Sequence, residues 1–155
     1  MMTSDWLTSR VQASPQKTAL IMGEQRWTYA ELDPIVNGVC ARLTDAGVKP
    51  GEFVGVLLPN GLAHVCLIHA LARLGAVLVP LNLRLTAAEL QWQIEHVGCK
   101  LVLGAEETKK EWLMVNFQWL FEREQPVWGL AFLCVGDEGG TAVYPKMCLE
   151  NSIDQ

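Results

Sequence analysis

The sequence predicts an α/β fold, a layered and mostly parallel sheet flanked by helices. Three observations predict it. Short apolar runs without polar alternation recur along the chain, as is typical of strands that are buried on both faces. Segments with apolar residues at intervals of three and four separate these runs, which is the pattern of amphipathic helices. Capping residues and glycine turns mark the segment ends, so strands and helices alternate as they do in a parallel sheet covered on both faces.

Composition limits the kind of protein and its partners. The chain has 155 residues, of which 50% are hydrophobic, so it can bury a core and is not expected to be disordered. Its formal net charge is -5 and its 12 basic residues are scattered, so neither nucleic acid nor an anionic membrane is expected as a partner. The N-terminus lacks the apolar region of a signal peptide, and the five cysteines form no C-x-x-C pair. We therefore expect a cytoplasmic protein with reduced cysteines.

The first elements are a strand-like run at residues 17–22 and a helix after Thr28. Thr28 and Glu31 have the spacing of a capping box, in which each side chain accepts a hydrogen bond from the other residue's backbone N–H. Pro34 would then lie past the first turn, where a proline costs about 3 kcal/mol. A cap at Asp33, with Pro34 in the first helical position, avoids that cost. The sequence therefore predicts a short turn first and the main helix after it.

The next strand and helix are continuously apolar. The run from Phe53 to Leu58 predicts a buried strand, and Asn60 is the predicted cap of a helix at residues 62–74. This helix is apolar on nearly every side, which predicts a position within the protein interior. Gly75 ends it, because glycine adopts the left-handed conformation that a helix C-terminus favours. A strand from Ala76 to Leu81 follows at once.

A second capping box, at Thr86 and Glu89, predicts the next helix, which leads into a strand at residues 101–103. The pattern beyond this strand is less regular. Residues 106–124 predict a helix whose apolar residues cover more than one face, and "VWGLAFLCV" at residues 127–135 predicts a further strand.

The candidate binding site is "GDEGGTAVYPK", residues 136–146. A glycine-rich loop that follows a buried strand can present backbone N–H groups, the Thr141 hydroxyl and the Lys146 ammonium to phosphate oxygens. Val143 stands where such loops usually need glycine, and the carboxylate of Asp137 would repel phosphate. A plain surface turn is therefore the alternative interpretation.

No catalytic residue and no metal site are predicted. His64 and His69 are five residues apart, so on a helix they point about 140° away from each other and cannot share a metal. No serine stands in a G-x-S-x-G elbow, and no carboxylates cluster near a histidine.

Two segments resemble the AMP-forming adenylating enzymes, the superfamily of acyl-CoA synthetases, luciferases and peptide-synthetase adenylation domains. "WTYAEL" at residues 27–32 and "LARLGAVLVPLN" at residues 71–82 are similar to the first two core motifs of that superfamily, and the likeness runs from about Asp5 to Leu103. Within the superfamily the pattern is most similar to the 2-succinylbenzoate-CoA ligases of menaquinone synthesis. We accordingly predict two parts, an N-terminal α/β subdomain at residues 1–104 and a divergent tail at residues 105–155.

The third family motif is a loop that embraces the ATP phosphates, and "GGTAVYPKM" takes its place here. Thr141, Pro145 and Lys146 match that motif, whereas Ala142 and Val143 depart from it. The resemblance therefore implies a degenerate phosphate loop in which Thr141 and Lys146 are the cofactor-binding residues.

The resemblance implies a ligase that uses ATP and Mg²⁺ to convert a small carboxylate into an acyl-adenylate, and then CoA to displace AMP. The later family motifs, including the hinge and the C-terminal domain with its catalytic lysine, have no counterpart in these residues. We expect a fragment that is inactive by itself and binds no cofactor of its own, with a second copy or a complementing subdomain as its partner. The alternatives are a non-catalytic interaction module, which binds through the apolar helix of residues 106–124, and a nucleotide-binding module that uses the loop.

Overall fold

The computed structural model describes residues 5–104, together with the backbone of residues 130–135 and 141–144. Eleven elements lie in these ranges. They are, in chain order, α1 (Trp6–Ala13), β1 (Thr18–Met22), β2 (Gln25–Thr28), α2 (Tyr29–Asp45), β3 (Phe53–Leu57), α3 (Leu62–Leu74), β4 (Val77–Pro80), α4 (Ala87–Val97), β5 (Leu101–Gly104), β6 (Leu130–Val135) and β7 (Thr141–Tyr144).

A five-stranded sheet has the strand order β4-β3-β5-β6-β7. The central strand β3 pairs in parallel with both β4 and β5, and β6 pairs in parallel with β5. Only β7 is antiparallel, at the edge beside β6. The first two strands form a separate two-stranded antiparallel sheet, the β1–β2 hairpin. The predicted α/β class with a mostly parallel sheet is therefore confirmed.

Helices cover both faces of the large sheet. Val54 and Val56 of β3 point into the larger core cluster, whereas Leu57 points into a second cluster on the opposite face, because successive strand residues face opposite sides. The larger cluster contains side chains from α1, α2 and α3. The second contains Leu90 and Ile94 of α4. Each face of the sheet is therefore buried by a different set of helices.

The predicted helix boundaries are confirmed where local signals set them. Both capping boxes are formed, with Thr28 N donating to the Glu31 carboxylate at 2.8 Å and Thr86 N donating to the Glu89 carboxylate at 2.8 Å. Gly75 ends α3 in the left-handed conformation, with a φ of 72°. At these positions short-range hydrogen bonding decides where a helix begins and ends.

The predicted break before Pro34 is wrong. Helix α2 runs without interruption from Tyr29 to Asp45, with Thr28 as its cap and Pro34 inside it. The reason lies outside the helix, because the backbone N–H groups of Tyr29 and Ala30 donate to the carbonyls of Lys17 and Pro15. These bonds and the capping box fix the first turn, and together they outweigh the cost of the proline.

The predicted cap of α3 is also wrong. The residue in the cap position is Gly61, and no side chain caps the helix. Because α3 begins at Leu62, the amide of Asn60 lies one residue too early to accept from the first turn.

The predicted interior position of α3 holds for one of its faces. Its inner face is buried, whereas Ile68 is 47% exposed. At 13 residues it is shorter than a membrane-spanning helix. No helix in the described part of the chain is both long enough and apolar enough to cross a membrane.

Arg73, near the end of α3, connects three helices. Its Nε lies 2.7 Å from Asp5 Oδ2 and its Nη2 lies 2.9 Å from Asp33 Oδ1, while it also donates to the side chains of Thr8 and Asn37. Asp5 caps α1, where its Oδ1 accepts from Thr8 N at 2.9 Å. One guanidinium therefore holds the start of α1 and the first half of α2 against the end of α3.

This cluster changes the proton affinity of its members. The hydrogen bond from Arg73 holds the pKa of Asp5 well below its usual range, and the bonds from Thr8 act in the same direction. The hydrogen bond to Asp5 in turn raises the pKa of Arg73. Asp5 therefore stays ionised in the folded protein at pH values where it would be protonated in the unfolded chain.

Replacing Arg73 should destabilise the fold. Arg73→Met leaves the Asp5 and Asp33 carboxylates unpaired in a place where both are mostly shielded from solvent. We expect the free energy of unfolding to fall by about 2 kcal/mol, between the values for exposed and fully buried ion pairs. Urea unfolding measures it. Arg84→Met, at an exposed position, is the matched control and should change stability by less than about 0.5 kcal/mol; equal losses in the two variants would contradict the role of Arg73.

Acid should weaken the fold through Asp5. Because the folded-state pKa of Asp5 is depressed, its stabilisation is complete above the unfolded-state pKa of about 4 and is lost as pH falls below that value. Asp5→Asn keeps a residue that can cap α1 but cannot titrate. Between pH 5 and pH 3 the free energy of unfolding should therefore fall more in the wild type than in Asp5→Asn, and identical pH dependence would rule the contribution out.

Candidate functional site

The candidate site is the crevice at the carboxyl ends of β3 and β5. The chain leaves β3 through α3 to reach β4 on one side, whereas the strand that follows β5 lies on the other side. The strand order therefore reverses between β3 and β5, and open α/β sheets bind ligands at such a switch point, outside the carboxyl ends of the strands.

Polar groups and a tight apolar contact define this edge. Asn60 is exposed beyond the end of β3, and the Asn82 side chain beyond β4 accepts from Arg84 N at 2.9 Å. Beneath them, β3 approaches its neighbours closely at Gly55, where an added Cβ would lie 3.1 Å from the side chains of both Leu81 and Val102. The absence of a side chain at Gly55 lets the strands and the loop after β4 pack together under the edge.

The structure places part of the predicted phosphate loop near the same edge. Thr141 is the first residue of β7 and lies opposite Val135, the last residue of β6. The strand of residues 141–144 takes up four of the residues that the sequence interpretation assigned to a loop. Lys146 lies outside the described residues, so phosphate binding by Thr141 and Lys146 stays a prediction.

The apolar helix predicted at residues 106–124 also lies outside the described residues. The alternative of a non-catalytic interaction module, which would bind through this helix, therefore stays a prediction.

The histidines and carboxylates are dispersed. Among residues 5–104, no three His, Cys, Asp or Glu side chains are grouped so that they could hold a metal ion. Burial lowers the pKa of His69, which favours its neutral form. His96 stacks on Trp92, with ring centroids 4.7 Å apart and an angle of 11° between the planes. Sequence reasoning missed this stack, although the spacing of four residues on a helix was the signal for it.

Three of the five cysteines lie in the described residues, at positions 40, 66 and 99, and all three are free thiols. Burial raises the pKa of Cys66 to about 11 and raises the pKa of Cys40 and Cys99 in the same direction. A raised pKa disfavours the thiolate, which is the nucleophilic form. These side chains therefore act as small apolar groups of the core.

One connection that lies outside the crevice was not predicted by the sequence interpretation. The pair of Asp5 and Arg73 is separated by 68 residues along the chain, and no local spacing indicates it. It holds α3 in place at the end remote from Gly61, the residue that leads from the candidate crevice into that helix.

Comparison with known proteins identifies a family. The family model described as "AMP-binding enzyme" matches residues 7–130. A 2-succinylbenzoate–CoA ligase from Bacillus cereus is 33% identical over 151 residues, which are 96% of this chain and 28% of that protein. Another, from a second Bacillus cereus strain, is 44% identical over 91 residues, or 59% of this chain and 19% of that protein.

Solved structures agree with this result. An O-succinylbenzoate coenzyme A synthetase from Bacillus subtilis, in complex with ATP and a magnesium ion, superposes with a TM-score of 0.72 at 26% identity and covers 92% of this chain and 35% of that one. A fatty acyl CoA synthetase from Mycobacterium tuberculosis gives a TM-score of 0.69 at 27% identity, covering 86% of this chain and 26% of that one. The chain thus spans about a fifth to a third of the proteins that it matches.

Two glycine substitutions should act in opposite directions. Gly55→Ala forces a methyl group against Leu81 and Val102, so we expect a loss of about 1–2 kcal/mol in the free energy of unfolding. Gly38→Ala, in the middle of α2 with no atom within 4 Å of the new Cβ, should gain about 0.5–1 kcal/mol from helix propensity. Chemical denaturation of both variants tests this, and a neutral Gly55→Ala would show that the strands are less tightly packed than described.

Proposed function

Because the chain belongs to the AMP-binding enzyme family, we propose that it forms the N-terminal part of an ATP-dependent, AMP-forming carboxylate–CoA ligase. The observation that carries the proposal is the extent of the family match, which includes nearly all of the described residues. The parallel order of β4, β3, β5 and β6 supports it, because a sheet of this kind provides the crevice in which such a ligase would hold its nucleotide.

The proposed reaction has two steps. A carboxylate oxygen attacks the α-phosphate of ATP, which forms an acyl-adenylate and releases pyrophosphate. The CoA thiol then attacks the acyl carbonyl, loses its proton and displaces AMP. Mg²⁺, held by groups from elsewhere in the complete ligase, would supply charge neutralisation at the phosphates.

The described residues do not themselves fit this chemistry. Residues 5–104 offer no cluster of ligands for Mg²⁺, and the phosphate-binding role of Thr141 and Lys146 rests on their match to the family motif. We therefore assign no step to the described side chains. Their part in the proposed enzyme is to build the sheet whose carboxyl edge positions groups from elsewhere in the ligase.

The proposed acid is 2-succinylbenzoate, which would place the complete enzyme in menaquinone synthesis. The names of the two Bacillus cereus relatives support this, one of which is aligned over 96% of this chain. We further propose a cytoplasmic location, which agrees with the free thiols of Cys40, Cys66 and Cys99, since reduced thiols are usual in a reducing compartment.

The 155-residue chain should not adenylate by itself. The relatives carry most of their length outside the region matched here, and stabilisation of the charged transition state needs groups on both sides of the reacting phosphate. ATP–pyrophosphate exchange with 2-succinylbenzoate should therefore equal the rate without protein. Exchange well above that background would contradict the proposal that this chain is a part of the catalytic unit.

A chimera supplies the positive counterpart. The matching N-terminal region of the Bacillus cereus ligase is replaced by this chain, and its exchange activity is compared with that of the same ligase lacking the region. The chimera should be the more active of the two. Equal activity in a chimera that is folded, as judged by its circular dichroism, would contradict the proposed function.

A further inference from the structure

The strand β4 forms one edge of the five-stranded sheet. In the part of the chain that the structure describes, it pairs with β3 and with no other strand. Its first residue, Val77, is 42% exposed, and its last residue, Pro80, is exposed as well. An edge strand leaves one row of backbone N–H and C=O groups unpaired, and such a row is a template on which a strand of another chain can add.

The sequence around β4 makes this edge prone to strand addition. No charged residue stands between Arg73 and Arg84, and β4 itself consists of the four residues VLVP. Uncharged segments that are rich in apolar and β-branched residues are those that add most readily to one another. The register between β4 and β3 runs without a bulge, so a twisted edge does not protect the strand either.

Hydrogen bonding shows which backbone groups of β4 face outward. The N–H groups of Val77 and Leu81 donate inward, at 2.8 Å and 2.9 Å, to carbonyls of β3 and of the residue just before it. Successive residues of a strand direct their backbone groups to opposite sides. Within β4 the outward positions, away from β3, therefore belong to Leu78 and Pro80.

A proline in one of these two positions removes one of the two outward donors. Proline has no N–H, so the outward N–H that β4 keeps is that of Leu78. The ring carbon that replaces the hydrogen projects toward the place where a neighbouring strand would lie. Sheets tolerate proline in this arrangement, on an edge strand with its nitrogen on the solvent side. The edge of β4 is therefore a poor template, although its side chains favour strand pairing.

We propose that Pro80 is an edge guard, which keeps β4 the terminal strand of the sheet by denying a second copy of this chain the hydrogen bonds of strand addition. The partner that it excludes is a second copy, because two identical edges can pair with each other about a twofold axis. The proposal is independent of the proposed function, since it concerns only β4 and the backbone groups that β4 presents.

The test is to restore the missing donor. Pro80→Val supplies an outward N–H and a side chain that favours strands. Sedimentation over a range of concentrations compares the 155-residue variant with the wild type. In a twofold pair each copy contributes one restored donor, so we expect self-association to strengthen by about tenfold or more.

Val77→Ile is the matched control. It adds apolar surface at an exposed position of the same strand, but the N–H of this residue faces β3, so no outward donor is added. It should associate no more than the wild type. In the double variant Pro80→Val with Val77→Lys, like charges approach each other when two edges pair, and self-association should return to the wild-type level.

Stability is measured alongside association. Urea unfolding of each variant separates pairing of folded edges from aggregation of unfolded chains. Pro80→Ala restores the same N–H with a lower strand propensity, and it replaces Pro80→Val if that variant does not fold. It should strengthen self-association in the same direction.

Amide hydrogen exchange reads the edge directly and needs no variant. In the wild type the Leu78 amide should exchange at least about tenfold faster than the amides of Val77 and Leu81, which are bonded to the neighbouring backbone. In self-associated Pro80→Val it should become protected.

Four results would overturn the proposal. The first is a wild-type Leu78 amide as protected as that of Val77, because the edge would then already be covered. The others are self-association of Pro80→Val that is no stronger than that of the wild type, that Val77→Ile equals, or that Val77→Lys does not relieve.

Discussion

The guanidinium of Arg73 is the constraint on which the arrangement of the helices depends. It binds the carboxylate that caps α1 and a carboxylate in α2, while its own helix packs on the central strands. Apolar packing allows several classes of crossing angle between helices, whereas a planar guanidinium that binds two carboxylates restricts the helices that carry them to one arrangement. Because Arg73 keeps its charge at every pH that the fold survives, the geometry depends on the protonation of its partners. The cluster thereby fixes α1 and α2 against the C-terminal half of α3.

The sequence was sufficient wherever short-range signals decide the structure. Both capping boxes and the end of α3 at Gly75 follow from spacings of a few residues, and apolar runs indicate β3, β4, β5 and β6, although not β7. The signals failed where distant parts of the chain interact. Pro34 lies inside α2 because backbone carbonyls of the preceding segment accept hydrogen bonds from the first turn of the helix. No short-range sequence pattern predicts the pairing of Asp5 with Arg73.

The candidate site shows the same division. Apolar runs predict parallel strands but not their order, and it is the order β4-β3-β5 that creates the switch point. The resemblance of the "TAVYPK" segment to a phosphate loop gave residues for a site, yet residues 141–144 adopt a strand. The exposure of Ile68 and Ala72 on α3 follows from neither composition nor periodicity, because a helix that is apolar on nearly every side predicts burial all round.

The central claim is that this region folds as the front layers of an adenylating ligase, with a parallel sheet against the α2–α3 layer. Proton–proton contacts across β3 and β5, measured by NMR on the 155-residue chain, test it most directly. The account predicts that Val54 lies beside Leu101 and Val56 beside Leu103, so that both strands advance in the same direction. Contacts of Val54 with Leu103 and of Val56 with Leu101 would show an antiparallel pair and would contradict it.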